Sequence, residues 1–334
     1  MRRAGILLLS LGFVAISSTA RDMVTLRKGW EFHRGDIENA NLKSDRSKGW
    51  ESVSVPHDWA IDQPFDMGND LQTVQVVQDG ETHPTLKTGR TGGLPYMGTG
   101  WYRRSIDVKP GKMATLVFDG AMSEAKVWVN GCKVGEWPYG YASFHFDITP
   151  YLNPDGNDNV VMVRLENLPF SSRWYPGAGL YRNVHLITTD SLYVPVWGVH
   201  VTTPHVKDDF ATVRIRTSVN TSSPADGVRV DTEIINPRGI SAGRMSDIVA
   251  HVDSTGCVEQ NIEVSSPALW SPETPCLYTA VTRVYDASGY LCDSVTTRFG
   301  IRTIEVIPHR GFYLNGHHRK FKGVCNHHDL GPLG

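Results

Sequence analysis

The residues best equipped for chemistry lie near the end of the 334-residue sequence. Phe321-Lys322-Gly323-Val324 reads as a short buried strand that runs directly into Cys325-Asn326-His327-His328-Asp329. Polar side chains that follow a buried strand at once are placed as a parallel barrel places its working residues, at the C-terminal ends of its strands. An imidazole there can donate or accept a hydrogen bond near neutral pH, and a carboxylate accepts strong charge-assisted ones. The same cluster, with His317 and His318 close by, is also a set of possible metal ligands. Its spacing argues against that: neighbouring strand residues point to opposite faces, and no zinc-like ligand pair occurs. A second candidate is the loop Ser172-Arg173-Trp174-Tyr175-Pro176-Gly177-Ala178-Gly179. Arg173 offers a forked donor, and Trp174 and Tyr175 offer flat apolar faces, a combination suited to a ring that carries hydroxyl groups. The plain alternative is a Gly-Pro loop that packs its aromatics between domains. A third candidate is Asp58, either a hydrogen-bonding carboxylate or a turn residue after Pro56.

These candidates sit on a chain that reads as strands. Ala125, Val127 and Val129 alternate with Lys126, Trp128 and Asn130, and Asn130-Gly131 is the strongest short hairpin signal. The alternation continues through the turn, so Cys132 is expected to be a small core residue. Thr115 to Phe118, Val160 to Leu165, Val213 to Val219, Val228 to Ile234 and Tyr278 to Tyr285 are further strands. No window between residues 21 and 300 keeps helical apolar spacing for three turns. Short strands with turn signals between them mean sandwiches, and 32 glycines and 19 prolines supply the turns. The chain is rich in Trp, Tyr and Gly up to about residue 190. From 191 to 303 the alternation is cleaner, over a length that suits an immunoglobulin-like sandwich of about 100 residues. Trp128, Trp137, Tyr139 and Tyr141 read chiefly as core or interface aromatics, with a stacking platform as the rival reading.

Composition narrows the partners. Lys plus Arg number 33 against 35 Asp plus Glu, which excludes the basic excess expected of a nucleic-acid-binding chain. A hydrophobic fraction of 40% is too high for a disordered chain. Arg2 and Arg3, the apolar run from Gly5 to Ser17 and the small residues Ser18-Thr19-Ala20 have the three-part layout of a secretory signal peptide. That run is too short for the ~20 residues needed to span a bilayer, so no membrane span is expected. Cleavage near Ala20 and export to the periplasm or the extracellular medium follow. Five cysteines, an odd number without a CxxC pair, do not indicate a disulfide framework.

Taken in order, several segments resemble glycoside hydrolase family 2, and within it the β-galactosidases. They are Val55-Pro56-His57-Asp58-Trp59, Gly100-Trp101-Tyr102-Arg103-Arg104, Phe118-Asp119-Gly120 with Val127-Trp128-Val129-Asn130-Gly131, Gly179-Leu180-Tyr181-Arg182-Asn183-Val184, Leu269-Trp270-Ser271-Pro272-Glu273, Phe299-Gly300-Ile301-Arg302, and Gly323-Val324 with His327 and Asp329. The resemblance implies a mainly β fold: a signal peptide over 1–20, a jelly-roll sugar-binding domain over 21–190, an immunoglobulin-like sandwich over 191–303, and over 304–334 the first strand of a truncated (β/α)8 barrel. A whole barrel takes about 250 residues. The family's two catalytic glutamates are therefore expected beyond Gly334, and the chain alone is expected to be inactive.

The resemblance also implies hydrolysis of terminal β-galactosides with retention, which needs two carboxyl groups about 5–5.5 Å apart. No pair with motif support stands among the 35 acids. His327 matches a residue that hydrogen-bonds the sugar on the active-site floor, while Asn326 and His328 depart from the family's Arg and Glu. Arg173 stands about where relatives carry a sugar-contacting Asp. Substrate binding is thus expected at His327, Asp329, Arg173, Trp174 and Asp58, with no cofactor or metal in this chain and room for a divalent cation in the full-length enzyme. Two alternatives remain: a non-catalytic carbohydrate-binding β module, and β-glucuronidase or β-mannosidase specificity within the same family.

Overall fold

The structure, a computed structural model, describes residues 20–37, 49–61, 64–66, 69, 73–77, 80–88, 96, 98–167 and 177–325. Strands β1 (Arg21–Thr25), β2 (Trp30–Arg34), β3 (Glu51–Val53), β4 (Thr73–Val76), β5 (Thr85–Thr88), β6 (Gly98–Ile106), β7 (Met113–Phe118), β8 (Ala125–Val129), β9 (Cys132–Trp137), β10 (Phe144–Asp147), β11 (Asn159–Asn167) and β12 (Val184–Thr189) build the first part. They form a four-stranded sheet in the order β1-β12-β7-β10, a six-stranded sheet in the order β3-β2-β6-β11-β8-β9, and the separate hairpin β4-β5. The two larger sheets face each other across a core built on Trp30, Phe32, Tyr102, Leu116, Phe118 and Leu165, each fully buried. Burying a side chain of this size stabilises by about 1.5–3 kcal/mol.

Strand β8 shows why the pattern folds this way. Ala125, Val127 and Val129 are buried while Lys126 and Trp128 point outward and are only partly covered. Asn130 and Gly131 both take positive φ, 51° and 82°, the turn that matches strand twist in a two-residue hairpin. A bulge between Val127 and Trp128 shifts the returning register, so Trp128 pairs with Lys133. β9 is an edge strand of its sheet, and Cys132 is exposed rather than a core residue. The alternation was legible, but an edge strand has only one packed neighbour to cover it.

The second part comprises β13 (Leu192–Tyr193), β14 (Val199–Val206), β15 (Phe210–Thr221), β16 (Ala225–Ile235), β17 (Ser241–Val252), β18 (Thr255–Ser265), β19 (Tyr278–Tyr285) and β20 (Leu291–Phe299). One sheet runs β13-β15-β14 with β18 also paired to β15, and the other runs β17-β16-β19-β20. β15 buries Ala211, Val213, Ile215, Thr217 and Val219 and turns Arg214 and Arg216 outward, the period-2 pattern of a half-buried strand. Leu269 bridges Ile301, and the Trp270 N–H donates to the Ile301 carbonyl at 2.8 Å, so the two segments that flank β19 and β20 close on each other.

Polar contacts join the two sandwiches. Asp293, fully buried, accepts from Arg21 Nε at 2.9 Å and Nη2 at 2.7 Å and from the Val194 N–H at 2.7 Å. The His145 ring also packs edge-on against Trp197 of the second sandwich at 5.0 Å, while Lys112 Nζ holds Asp190 at the end of the first at 2.6 Å.

A third, small sheet of β21 (Ile304–Ile307), β22 (Gly311–Leu314) and β23 (His317–Arg319) follows, antiparallel throughout. The turn residue Asn315 anchors it, since its amide donates to the Trp270 carbonyl and its Oδ1 accepts from the Thr303 N–H, both at 3.0 Å. Residues 321–324 do not form the expected buried strand: they have no strand pairing, and Phe321 and Val324 are 80% and 94% exposed. A parallel strand takes its hydrogen bonds and its cover from flanking strands, and none lies beside it among the described residues. Apart from a single 3₁₀ turn, Thr149–Tyr151, the described residues contain no helix, and no helix long and apolar enough to cross a membrane.

Candidate functional site

One end of the first sandwich gathers segments that are far apart in sequence. The stretch after β3 passes through a cis Val55–Pro56 bond to His57, Asp58 and Trp59. The His57 N–H donates to the Leu180 carbonyl at 2.8 Å, and Gly179 and Met122 exchange both backbone hydrogen bonds at 3.0 Å. Three loops, around 57, 122 and 179, are therefore stitched into one rim.

Glycine is required at the centre of that rim. Gly179 has φ +93°, and a Cβ there would lie 2.4 Å from the Tyr102 hydroxyl and 2.6 Å from the His57 carbonyl. Gly100 plays a similar part on β6, where a Cβ would meet Phe32 at 2.7 Å and Trp59 at 2.9 Å. The Trp59 ring stacks on Phe32, with centroids 5.6 Å apart and planes 16° from parallel.

Tyr102 sits beneath the rim, fully buried, with its hydroxyl 2.8 Å from His57 Nδ1. Burial pushes its phenol well above the ordinary tyrosine value, and the nearby Asp58 and Glu51 carboxylates add to that shift. The Leu180 N–H, hydrogen-bonded to the phenol, opposes it. Tyr102 and His57 share the 2.8 Å hydrogen bond, in which either the phenol O–H or the imidazole Nδ1–H donates according to the tautomer. The pair fixes the imidazole plane.

Asp58 is half-buried beside this pair, and its Oδ1 accepts from the Ala60 N–H at 3.0 Å, which makes it in part the turn residue of the plain alternative. Arg173 and Trp174 lie outside the described residues. The residues on either side of them do not: the buried Asn167 amide donates to the Gly177 carbonyl at 3.0 Å. His327 and Asp329 also lie outside the described residues. The structure thus brings Asp58 near Asn167, Gly177 and Gly179. Among the described residues no group of three or more His, Cys, Asp and Glu side chains could hold a metal ion. His57 and Tyr102 are additions that the motifs alone did not single out. Each lies inside a recognised segment, but nothing in the sequence pairs them across 45 residues.

Comparison with known proteins agrees with this layout. Residues 27–190 match the model of the glycosyl hydrolases family 2 sugar binding domain, and residues 194–302 match that of glycosyl hydrolases family 2. The chain is 36% identical over 332 residues to β-galactosidase BoGH2A of Bacteroides ovatus, which covers 97% of this chain and 37% of that protein. It is 30% identical over 261 residues to a β-glucuronidase of Bacteroides fragilis, covering 71% of this chain and 36% of that one. Among solved structures, a family 2 glycosyl hydrolase from Bacteroides cellulosilyticus superposes with a TM-score of 0.77 at 31% identity, over 90% of this chain and 39% of that one. A Bacteroides uniformis β-glucuronidase gives 0.77 at 26% identity, over 94% and 36%. The chain spans less than two fifths of the length of each of these relatives. With two sandwiches in this order, each matched by the corresponding family model, the chain belongs to glycosyl hydrolase family 2.

Proposed function

We propose that this chain is the front portion of an exported, retaining β-galactosidase, and that its rim forms one wall of the pocket that takes the terminal sugar. The observation that carries the reading is the stitching of His57 to Leu180, which sets a fixed imidazole and the Asp58 carboxylate near Asn167, Gly177 and Gly179. An imidazole and a carboxylate side by side are the kinds of group that hydrogen-bond the hydroxyls of a sugar ring. Trp174 on the loop would supply the apolar face, and Arg173 a forked donor. His327 and Asp329 would complete the floor, and the pair of catalytic carboxyl groups would be supplied by sequence beyond Gly334. Residues 1–20 would be removed on export, which leaves Arg21 at the start of the mature chain.

The relative most of this chain aligns with at 36% identity is named a β-galactosidase, which favours galactosides. A second reading, glucuronide hydrolysis, is favoured by the relatives of that name. A panel of aryl β-glycosides assayed on the complete gene product decides between them. Galactoside turnover at least tenfold above glucuronide and mannoside is expected, a margin of about 1.4 kcal/mol in transition-state binding. Glucuronide preference would overturn the assignment. Proton NMR of the first product should show the β anomer, and the 334-residue chain alone should turn over no substrate. N-terminal sequencing of the secreted protein should begin at Arg21.

A further inference from the structure

The first sandwich carries an aromatic surface that the rim does not use. At the end of β9 and in the loop that follows it, Trp137, Tyr139 and Tyr141 are 37%, 59% and 47% exposed. They are therefore not core residues; of the four read together, Trp128 is the one packed against Trp101, with centroids 5.3 Å apart. Trp137 is held from below. Its ring lies 19° from parallel with Phe144 at 5.9 Å, and Phe144 stacks on the buried Phe118 at 4.8 Å and 9°. A column of three rings thus runs from the core to the surface and fixes the outermost one.

The loop backbone is fixed as well. The Glu124 N–H donates to the Pro138 carbonyl at 3.1 Å, and the Tyr181 hydroxyl donates to the Gly140 carbonyl at 2.8 Å. Gly140 presses so closely on Met122 that a Cβ would lie 2.4 Å from its sulfur. Tyr139 and Tyr141 meet edge to face, with centroids 5.6 Å apart.

Rigid rings held at a surface bind with little loss of side-chain freedom, and a contiguous exposed apolar patch marks an interaction site. The chemistry of the patch narrows the ligand. The π faces take C–H groups, and the phenol oxygens beside them take hydroxyls. Of the nearby charges, Lys133 pairs with Glu136 at 2.6 Å, while the exposed Arg182 donates to the Asp119 carbonyl at 3.3 Å. A ligand with one apolar C–H face and an edge of hydroxyl groups fits, which is the surface of a β-linked pyranose.

We propose that Trp137, Tyr139 and Tyr141 form a stacking surface for a β-linked oligosaccharide, next to the rim at Met122 and Tyr181 and independent of the proposed galactoside cleavage. The test titrates the 334-residue chain with β-1,4-galactotetraose and with cellotetraose, followed by calorimetry and tryptophan fluorescence. At least one of the two binds, and Tyr139→Ala weakens binding roughly tenfold, a loss of about 1.4 kcal/mol, with the thermal midpoint unchanged. Ile248→Ala, at an exposed apolar residue of the second sandwich, leaves binding as it was. Bound sugar also slows nitration of Tyr139 and Tyr141 by tetranitromethane. The proposal is overturned by the absence of binding to either sugar, by equal affinity in Tyr139→Ala, or by tighter binding of an oligogalacturonate. Resistance of both tyrosines to nitration in the sugar-free complete gene product would overturn it too, because protein would then cover the surface.

Discussion

Replacing Arg21 with methionine tests how the two sandwiches are locked together. Arg21 opens β1 in the first sandwich, and its guanidinium grips Asp293 of β20 through two hydrogen bonds, at 2.9 and 2.7 Å, while also donating to the Val194 carbonyl. Asp293 is fully buried, and its remaining partners are the N–H groups of Val194 and Ser294, at 2.7 and 2.8 Å. Methionine keeps the aliphatic volume but leaves the carboxylate with those two donors and no opposite charge. Removing one partner of a buried ion pair destabilises by about 3–5 kcal/mol, because the other charge stays desolvated. Equilibrium urea unfolding, followed by tryptophan fluorescence, should show a loss of that size. Arg21→Met combined with Asp293→Leu should recover part of it, since an apolar pair of similar volume removes the stranded charge. The Val194 N–H then keeps a residual penalty of about 1–3 kcal/mol. A single Arg21→Met variant within about 0.5 kcal/mol of the parent, the scatter of ordinary surface changes, would refute the view that this contact fixes the junction.

Other expectations follow from the rim and the cysteines. Tyr102→Phe removes a buried hydroxyl and leaves His57 Nδ1 and the Leu180 N–H without it; urea unfolding should register a loss of about 1–3 kcal/mol. Because the folded phenol titrates above its unfolded value of about 10, Tyr102 contributes stability that is complete below that pH and declines as pH rises through the folded value. Alkaline unfolding monitored by tyrosinate absorbance should therefore steepen above pH ~10 in the parent and be shallower in Tyr102→Phe. Gly179→Ala adds a Cβ into Tyr102 and the His57 carbonyl at a positive φ. It should lose at least about 2 kcal/mol in the same unfolding assay. Burial pushes the Cys292 thiol up to about 11. Ellman's reagent should label the exposed Cys132, Cys257 and Cys325 in the native chain and reach Cys292 only after unfolding.

The family segments and the period-2 alternation were enough to read two β sandwiches in order, because a strand's side chains alternate whatever its partners are. β8, β15 and β19 carry that signal in plain view. The Asn-Gly turns were legible for the same local reason: Asn130-Gly131 and Asn315-Gly316 both take the positive φ that those residue types tolerate. Burial was less legible, since it depends on what a sheet packs against. Cys132 and Tyr139 share the composition of core residues, yet the edge position of β9 and the outward loop after it leave them exposed. Residues 321–324 looked like a buried strand, but a parallel strand is made by its neighbours, and those are not among the described residues.

Asp58 was visible from its motif, while its partners were not. The His57–Tyr102 hydrogen bond and the closure of residue 57 onto residue 180 join positions that share no spacing rule. The Arg21–Asp293 clamp spans 272 residues on two domains, and nothing local to either residue announces it. Local backbone preference and alternation are written into each short segment. The rim, the aromatic column and the clamp exist only once the sheets have stacked, because long-range contacts are chosen by the shape of the whole packed core.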